Sequence, residues 1–178
     1  GIAIRFISDS PSIDVRWKLT SDRLEMPHMP ATGVSGVDLY VRTALPGSSG
    51  WRWVGNGRPV SVENEQRLAN GLDPAVREWL LYLPLYNGVE SIEIGTAEGA
   101  SIEPAEKRNR PIVFYGTSIT HGASASRPGM AHVAILGRRL DVPVVNLGFS
   151  GSGTLDMEVA DLMAEIDASA YVIDCLPN

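Results

Sequence analysis

Ile112-Val113-Phe114-Tyr115-Gly116-Thr117-Ser118-Ile119-Thr120-His121-Gly122 is the stretch that decides the fold. An apolar run with the length of a buried strand ends in Gly-Thr-Ser, and a partly periodic apolar pattern (Met130, Val133, Ile135, Leu136, Leu140) predicts a helix over 129–140. A strand that gives way to a helix through a glycine-flanked serine places a hydroxyl at the carboxyl end of a parallel sheet, where α/β folds put their ligands. Working outward, 143–147 reads as a second strand, 155–166 as a second helix and 171–174 as a third strand. Asp156 and Glu158 lie near the start of that second helix, where the helix dipole favours negative charge, and are read as helix-start acids and not as a catalytic pair. The order β-α-β-α-β predicts a parallel sheet with right-handed crossovers. Three strands make the front part of a doubly wound domain, with an edge at 171–174 that invites dimerisation or aggregation.

Toward the amino terminus the pattern changes to short alternating segments. Residues 3–8 alternate weakly, whereas Ile13-Asp14-Val15-Arg16-Trp17-Lys18-Leu19 alternates apolar and charged as a half-buried strand should. Further strands are expected at 37–42, 51–54, 79–85 and 89–94, the last two flanking Tyr86-Asn87-Gly88, a hairpin signal. These predict an antiparallel β-sandwich over 1–105. Residues 101–110, with Pro104 and mixed charge, read as a linker to the α/β unit at 106–178. The basic cluster Lys107, Arg108 and Arg110 within it reads as solvated.

Composition narrows the function. A net charge of −6 argues against nucleic acid as the main partner, because tracking phosphates takes an excess of Lys and Arg. No apolar run approaches the roughly 18 residues of a membrane span. One cysteine, Cys175, lies in an apolar stretch and reads as a buried thiol. Three scattered histidines (His28, His121, His132) and that cysteine give no metal-ligand spacing, and no cofactor is expected. His28 reads as a loop residue, and His132 as a surface or packing residue. The cellular compartment stays open.

Three loops meet at the carboxyl ends of the predicted parallel strands: 116–122, 146–153 and 176–178. Together they offer a hydroxyl, glycine amides and a side-chain amide, the inventory for acyl transfer: a nucleophile with donors aimed at a developing oxyanion. Gly116-Thr117-Ser118-Ile119-Thr120 resembles the first block of the SGNH (GDSL-type) hydrolases. Asn146-Leu147-Gly148-Phe149-Ser150-Gly151 resembles their second block, and Asp174-Cys175-Leu176-Pro177-Asn178 their third. Gly36-Val37-Asp38-Leu39-Tyr40 is similar to the Gly-x-Asp-Leu-Tyr signature of a β-sandwich that precedes one subgroup of these hydrolases.

The resemblance implies a jelly-roll-like sandwich followed by the first β-α-β-α-β part of a flavodoxin-like SGNH hydrolase domain. It implies Ser118 as nucleophile and as an oxyanion N–H donor, with Gly151 and Asn178 as further oxyanion donors. It also implies a serine esterase of small acyl, above all acetyl, esters of carbohydrate. The family's Asp before the serine is replaced here by Thr117, and its glycine two before the asparagine by Leu176. Its late Asp-x-x-His block, which supplies the base, occurs nowhere in these residues. The chain alone is therefore expected to be nearly inactive, a part of a longer or processed polypeptide or one that needs a partner to supply the histidine.

Thr117 and His121 are candidates for the substrate pocket. His121 lies three residues after Ser118, on one face of a helical turn, but a serine's base must also be oriented by a third group. Trp51 and Trp53 share a strand face and read as sandwich core more than as a sugar platform, and Asp38 and Tyr40 as structural residues near the domain junction. The alternative to an esterase is a binding module for phosphate or carbohydrate. The phosphate version lacks the Gly-x-x-x-x-Gly-Lys-Ser/Thr pattern, and no lysine follows Lys107.

Overall fold

A computed structural model of the chain describes residues 1–42 and 50–178. Strands β1 (Ala3–Ser8), β2 (Ile13–Leu19), β3 (Asp38–Arg42), β4 (Trp51–Asn56), β5 (Glu63–Ala69), β6 (Arg77–Tyr82), β7 (Val89–Thr96) and β8 (Ile102–Pro104) build two antiparallel sheets, with the one-turn helix α1 (Ala31–Val34) before β3. Their orders are β4-β3-β6-β1-β8 and β5-β2-β7. The alternation read in β2 is the reason for the sandwich. Ile13, Val15, Trp17 and Leu19 point into the core with Phe6, Leu39, Trp79 and Leu81 from the facing sheet. Asp14, Arg16 and Lys18 point outward and pair across the strands with Arg67, Glu65, Glu93 and Glu90. The indoles of Trp17 and Trp79 are fully buried, and their N–H groups reach the carbonyls of Ser35 (3.1 Å) and Ser8 (3.4 Å).

The second unit is the parallel sheet β10-β9-β11, with β9 (Ile112–Gly116) between β10 (Val144–Gly148) and β11 (Ala170–Asp174). Its helices are α2 (Ser118–His121), α3 (His132–Leu140) and α4 (Met157–Ala164). The expected β-α-β-α-β order is therefore observed, with the central strand carrying the serine. The fold is a β-sandwich followed by a three-stranded parallel α/β unit.

Four local expectations differ from the structure. Tyr86-Asn87-Gly88 does not close a hairpin: β6 and β7 belong to different sheets, and the segment crosses from one to the other. Its backbone is tied to α1, with Tyr86 N–H and Asn87 N–H donating to Val34 O at 3.2 and 2.9 Å. β5 (Glu-Asn-Glu-Gln-Arg-Leu-Ala) escapes a hydrophobic reading because its outward residues are charged and Asn64, buried, spends its amide on local carbonyls. Residues 102–104 are a strand on β1 and not linker. Trp51 and Trp53 lie outside the sandwich core: Trp53 is half exposed, with its indole N–H on Asp38 and Arg127 stacked over its ring at 4.8 Å.

The outer face of the five-stranded sheet packs on the α/β unit, and the Gly-x-Asp-Leu-Tyr motif makes the joint. Asp38, wholly buried, accepts from Gly129 N–H (2.9 Å) and Trp53 Nε1–H (2.8 Å), with Arg127 Nε at 3.2 Å. Gly129 O accepts from Arg138 (2.7 Å), whose guanidinium lies 4.0 Å from the Tyr40 ring. Asp38 and Tyr40 thus grip the short turn Pro128–Met130 that leads into α3. An ion network continues the joint: Glu78 bridges Arg5 and Arg42, and Asp141 bridges Arg42 and Arg108. Arg108, read as solvated, is thus part of the joint.

Candidate active site

Ser118 is the first residue of α2, directly after β9. Thr117, itself buried, is the N-cap, and its hydroxyl accepts from Ile119 N–H at 3.2 Å. Gly122 ends the helix in the left-handed region (φ 112°), its N–H on the carbonyls of Ser118 and Ile119. Ser118 is half-buried, and its hydroxyl has no hydrogen-bond partner among the described residues.

The second loop is fitted against this turn by close backbone approach. A side chain at Gly148 would run into the backbone nitrogen of His121, and one at Gly153 into the carbonyl of Gly116. Any other residue at these positions would push β10 and its turn away from α2. Phe149 N–H donates to Gly116 O (2.9 Å), so the Ser150–Ser152 turn starts at the end of the serine's own strand. Gly151 stands at the exposed crest of that turn, with no atom within 4 Å of where a Cβ would be.

The third loop closes the arrangement. The Asn178 side-chain amide donates to Ser150 O (2.8 Å) and Gly153 O (3.2 Å), pinning both ends of the turn that carries Gly151. The structure thus brings together the loops of Ser118, Gly151 and Asn178 at one rim. Both protons of the Asn178 amide are spent on the neighbouring turn as the site stands.

His121 belongs to a different contact. Its Nε2 donates to Leu85 O, and its ring stacks on Tyr86 at 4.2 Å and 20°. Burial holds its pKa below the usual histidine range, with the bond to the Leu85 carbonyl acting in the other direction. His132 is exposed and meets the Phe114 ring edge-on, and His28 is exposed. No group of His, Cys, Asp or Glu among the described residues could hold a metal ion. Asp156 accepts from Tyr115 and Thr154 hydroxyls beside α4, the setting of a helix-start acid.

Two residues that brace the site carry no role in the sequence reading. Asn146 ties the strand end to the serine's helix: its amide donates to Thr120 O (3.0 Å) and its Oδ1 accepts from Gly148 N–H (2.9 Å). Its position two residues before a glycine is the signature of a side chain folding back on its own loop. Tyr86, in the sandwich, reaches the rim through His121, a contact that only the joining of the two units creates.

A sandwich joined to a parallel sheet, with a serine at the tip of the central strand and a glycine turn and an asparagine beside it, defines a two-unit α/β protein with a serine-bearing site. Comparison with known proteins makes the class specific. Residues 109–178 match the model of the GDSL-like lipase/acylhydrolase family, and residues 1–102 match the model of the N-terminus of SGNH-hydrolase-type esterases. The chain belongs to this family. It is 41% identical to a protein from Bacteroides ovatus assigned as a GDSL-like lipase, with a TM-score of 0.90, covering 100% of this chain and 52% of that one. It also shares its fold with a salicylyl-acyltransferase of a tetracycline biosynthetic pathway (21% identity, TM-score 0.71, 95% of this chain and 46% of that one). A family two carbohydrate esterase from Clostridium thermocellum, solved with cellohexaose, is similar at 16% identity and a TM-score of 0.55, covering 84% and 44%. The chain thus spans about half the length of these proteins. No curated protein sequence matches it.

Proposed function

We propose that this chain carries the nucleophile and the oxyanion donors of a serine esterase that removes small acyl groups, above all acetyl, from carbohydrate. The observation that supports it most is the Ser118 hydroxyl at the head of α2, without a hydrogen-bond partner among the described residues, beside a glycine turn whose two ends are held by Asn178. In the reaction Ser118 Oγ attacks the ester carbonyl, and its proton passes to a base and then to the leaving alcohol. The backbone N–H groups of Ser118 and Gly151 hold the oxyanion. Asn178 joins them by exchanging its longer bond, to Gly153 O at 3.2 Å, for the substrate oxygen. One such donor is worth about 3 kcal/mol of barrier. Water then hydrolyses the acyl-enzyme by the same route in reverse. The carbohydrate esterase that shares the fold favours a sugar as the alcohol part.

Among the described residues no base contacts Ser118. His121 is committed to Leu85, and no other imidazole among the described residues reaches Ser118. On this reading a histidine–aspartate pair acts as the base, and without it the chain turns over esters slowly. Acetate release from acetylated cello- and xylo-oligosaccharides tests the reading. A polypeptide that extends past Asn178 is expected to release acetate and to lose about a thousandfold or more in kcat on Ser118→Ala. Unchanged turnover in that variant removes the assignment. That no base contacts Ser118 among the described residues favours one other reading, a carbohydrate-binding part without chemistry. Oligosaccharide binding that survives Ser118→Ala, with no acetate released by any longer form, would establish it.

A further inference from the structure

A single helical turn does not hold itself in water. Helix α2 is one such turn, with Ser118 as its first residue and His121 as its last, so something else sets its position. On the α/β side Asn146 supports it through Thr120 O. The other support comes from the sandwich. Leu85 offers its carbonyl to His121 Nε2–H, and Tyr86 lays its ring on the imidazole at 4.2 Å. Those two residues are rigid in their turn, because Leu85 N–H donates to Gly33 O (3.3 Å) and Tyr86 and Asn87 N–H to Val34 O. The Tyr86 hydroxyl lies 3.4 Å from Ser150 Oγ, beyond the range of a strong O–H···O bond, so the ring and not the hydroxyl makes the contact. A carbonyl can only accept, which fixes the His121 proton on Nε2 and leaves Nδ1 as a buried lone pair with no partner among the described residues.

We propose that His121 is a positioning residue: through it, the Leu85–Tyr86 segment of the sandwich sets the placement of α2 and so of the Ser118 hydroxyl. The sandwich is on this account a working part of the site. The catalytic consequence rests on the esterase reading, while the structural consequence does not.

Amide hydrogen exchange measured by NMR on this chain tests it without any appeal to activity. Gly122 and Ala123 N–H, both bonded to Ser118 O (3.1 and 2.8 Å), report on α2. Leu72 N–H in the sandwich and Ile112 N–H in the parallel sheet serve as references. Tyr86→Ala and His121→Ala are each expected to speed exchange at the two reporters about tenfold or more and to leave the references unchanged. Tyr86→Phe, which keeps the ring, is expected to behave as the wild type. The double variant Tyr86→Ala/His121→Ala should be no faster than the worse single one, because both act through one contact. Tyr86→Leu, which keeps bulk without stacking, serves where an alanine variant fails to fold. Unchanged reporters, or equal acceleration at reporters and references, overturn the proposal. In a longer form that releases acetate, His121→Ala should lower kcat with KM unchanged. A raised KM with kcat kept makes His121 a substrate contact and overturns it. If no form releases acetate, the esterase reading falls and the exchange result alone decides this one.

Discussion

The two units of this chain bury their apolar surface very differently. In the sandwich, two sheets close on each other, and Trp17, Trp79, Ile13, Leu39 and Leu81 are excluded from solvent. In the α/β unit the buried cluster is small: Val113, Tyr115, Met163 and Cys175. Around it Leu162 is 64% exposed, Ile173 58% and Leu155 56%. An open groove of about 470 Å³, lined by Tyr115, Leu155, Met163, Tyr171 and Ile173, runs along this face. Parallel sheets are normally covered on both faces, and among the described residues β11 pairs with β9 alone. The better-buried half of this chain is therefore the one without the serine.

That contrast can be broken by substitution. Trp17→Ala should cost the most, about 3–5 kcal/mol, whereas Ile173→Ala on the exposed strand should stay within about 0.5 kcal/mol. Urea titration of both variants checks this, and comparable losses would mean that the two cores are equivalent. Asp38→Ala comes next. It leaves Arg127, itself partly exposed, without its buried partner, at a cost of about 3 kcal/mol, the low end for such a change. It should also separate unfolding into two transitions, because the joint no longer couples the units. A single transition at the wild-type midpoint would show that Asp38 does not hold them together.

Acidity sharpens the same contrast at the joint. Burial pushes the Asp38 carboxyl above the usual aspartate range, against the opposing pull of Arg127, the Gly129 N–H and Trp53. The folded state then binds this proton more tightly than the unfolded one. The contribution of Asp38 to stability therefore falls as pH rises from the ordinary aspartate value through its own raised value, and is level above it. Asp141 behaves in the opposite sense: partial burial raises its pKa, but Arg108 and Arg42 overcome this and hold it low. Its stabilisation is present above the ordinary aspartate value and is lost as pH falls through the depressed one. Carbon-13 shifts of the two carboxyls should titrate in that order, Asp38 at the higher pH. The smallest effect belongs to the outer face of the sandwich. Arg16→Ala removes exposed pairs to Glu65 and Glu93 and should barely move the urea midpoint, with any shift vanishing at high salt.

Much of this was legible before any coordinates. The alternation in 13–19 is a direct consequence of strand geometry, since successive side chains face opposite sides, and it predicted both the core of β2 and its outer charges. The run 112–116 with Gly-Thr-Ser behind it located the serine at a strand end because a short apolar strand followed by glycine leaves few other options. Asn87-Gly88 misled because a turn signal states that the chain reverses locally and not which sheet receives the next strand. β5 was silent because its periodicity is carried by Asn64, Gln66 and charged residues, which hydropathy does not distinguish from a loop. Asp38 was read near the junction, and its partners Arg127 and Gly129 lie about ninety residues on.

By itself the sequence determined what depends on local pattern: two units in order, the strands with clean alternation, the serine at the head of a turn and the glycines that let backbones meet. Tertiary structure alone decided what depends on distant residues being neighbours. It committed His121 to Leu85 and Tyr86, turned Asn178 toward the turn of Gly151, and moved Trp53 out of the core onto the joint. The physical reason is range. Periodicity records which way a side chain faces, whereas its partner is set by how two separately folded surfaces meet, and no spacing within either one encodes that.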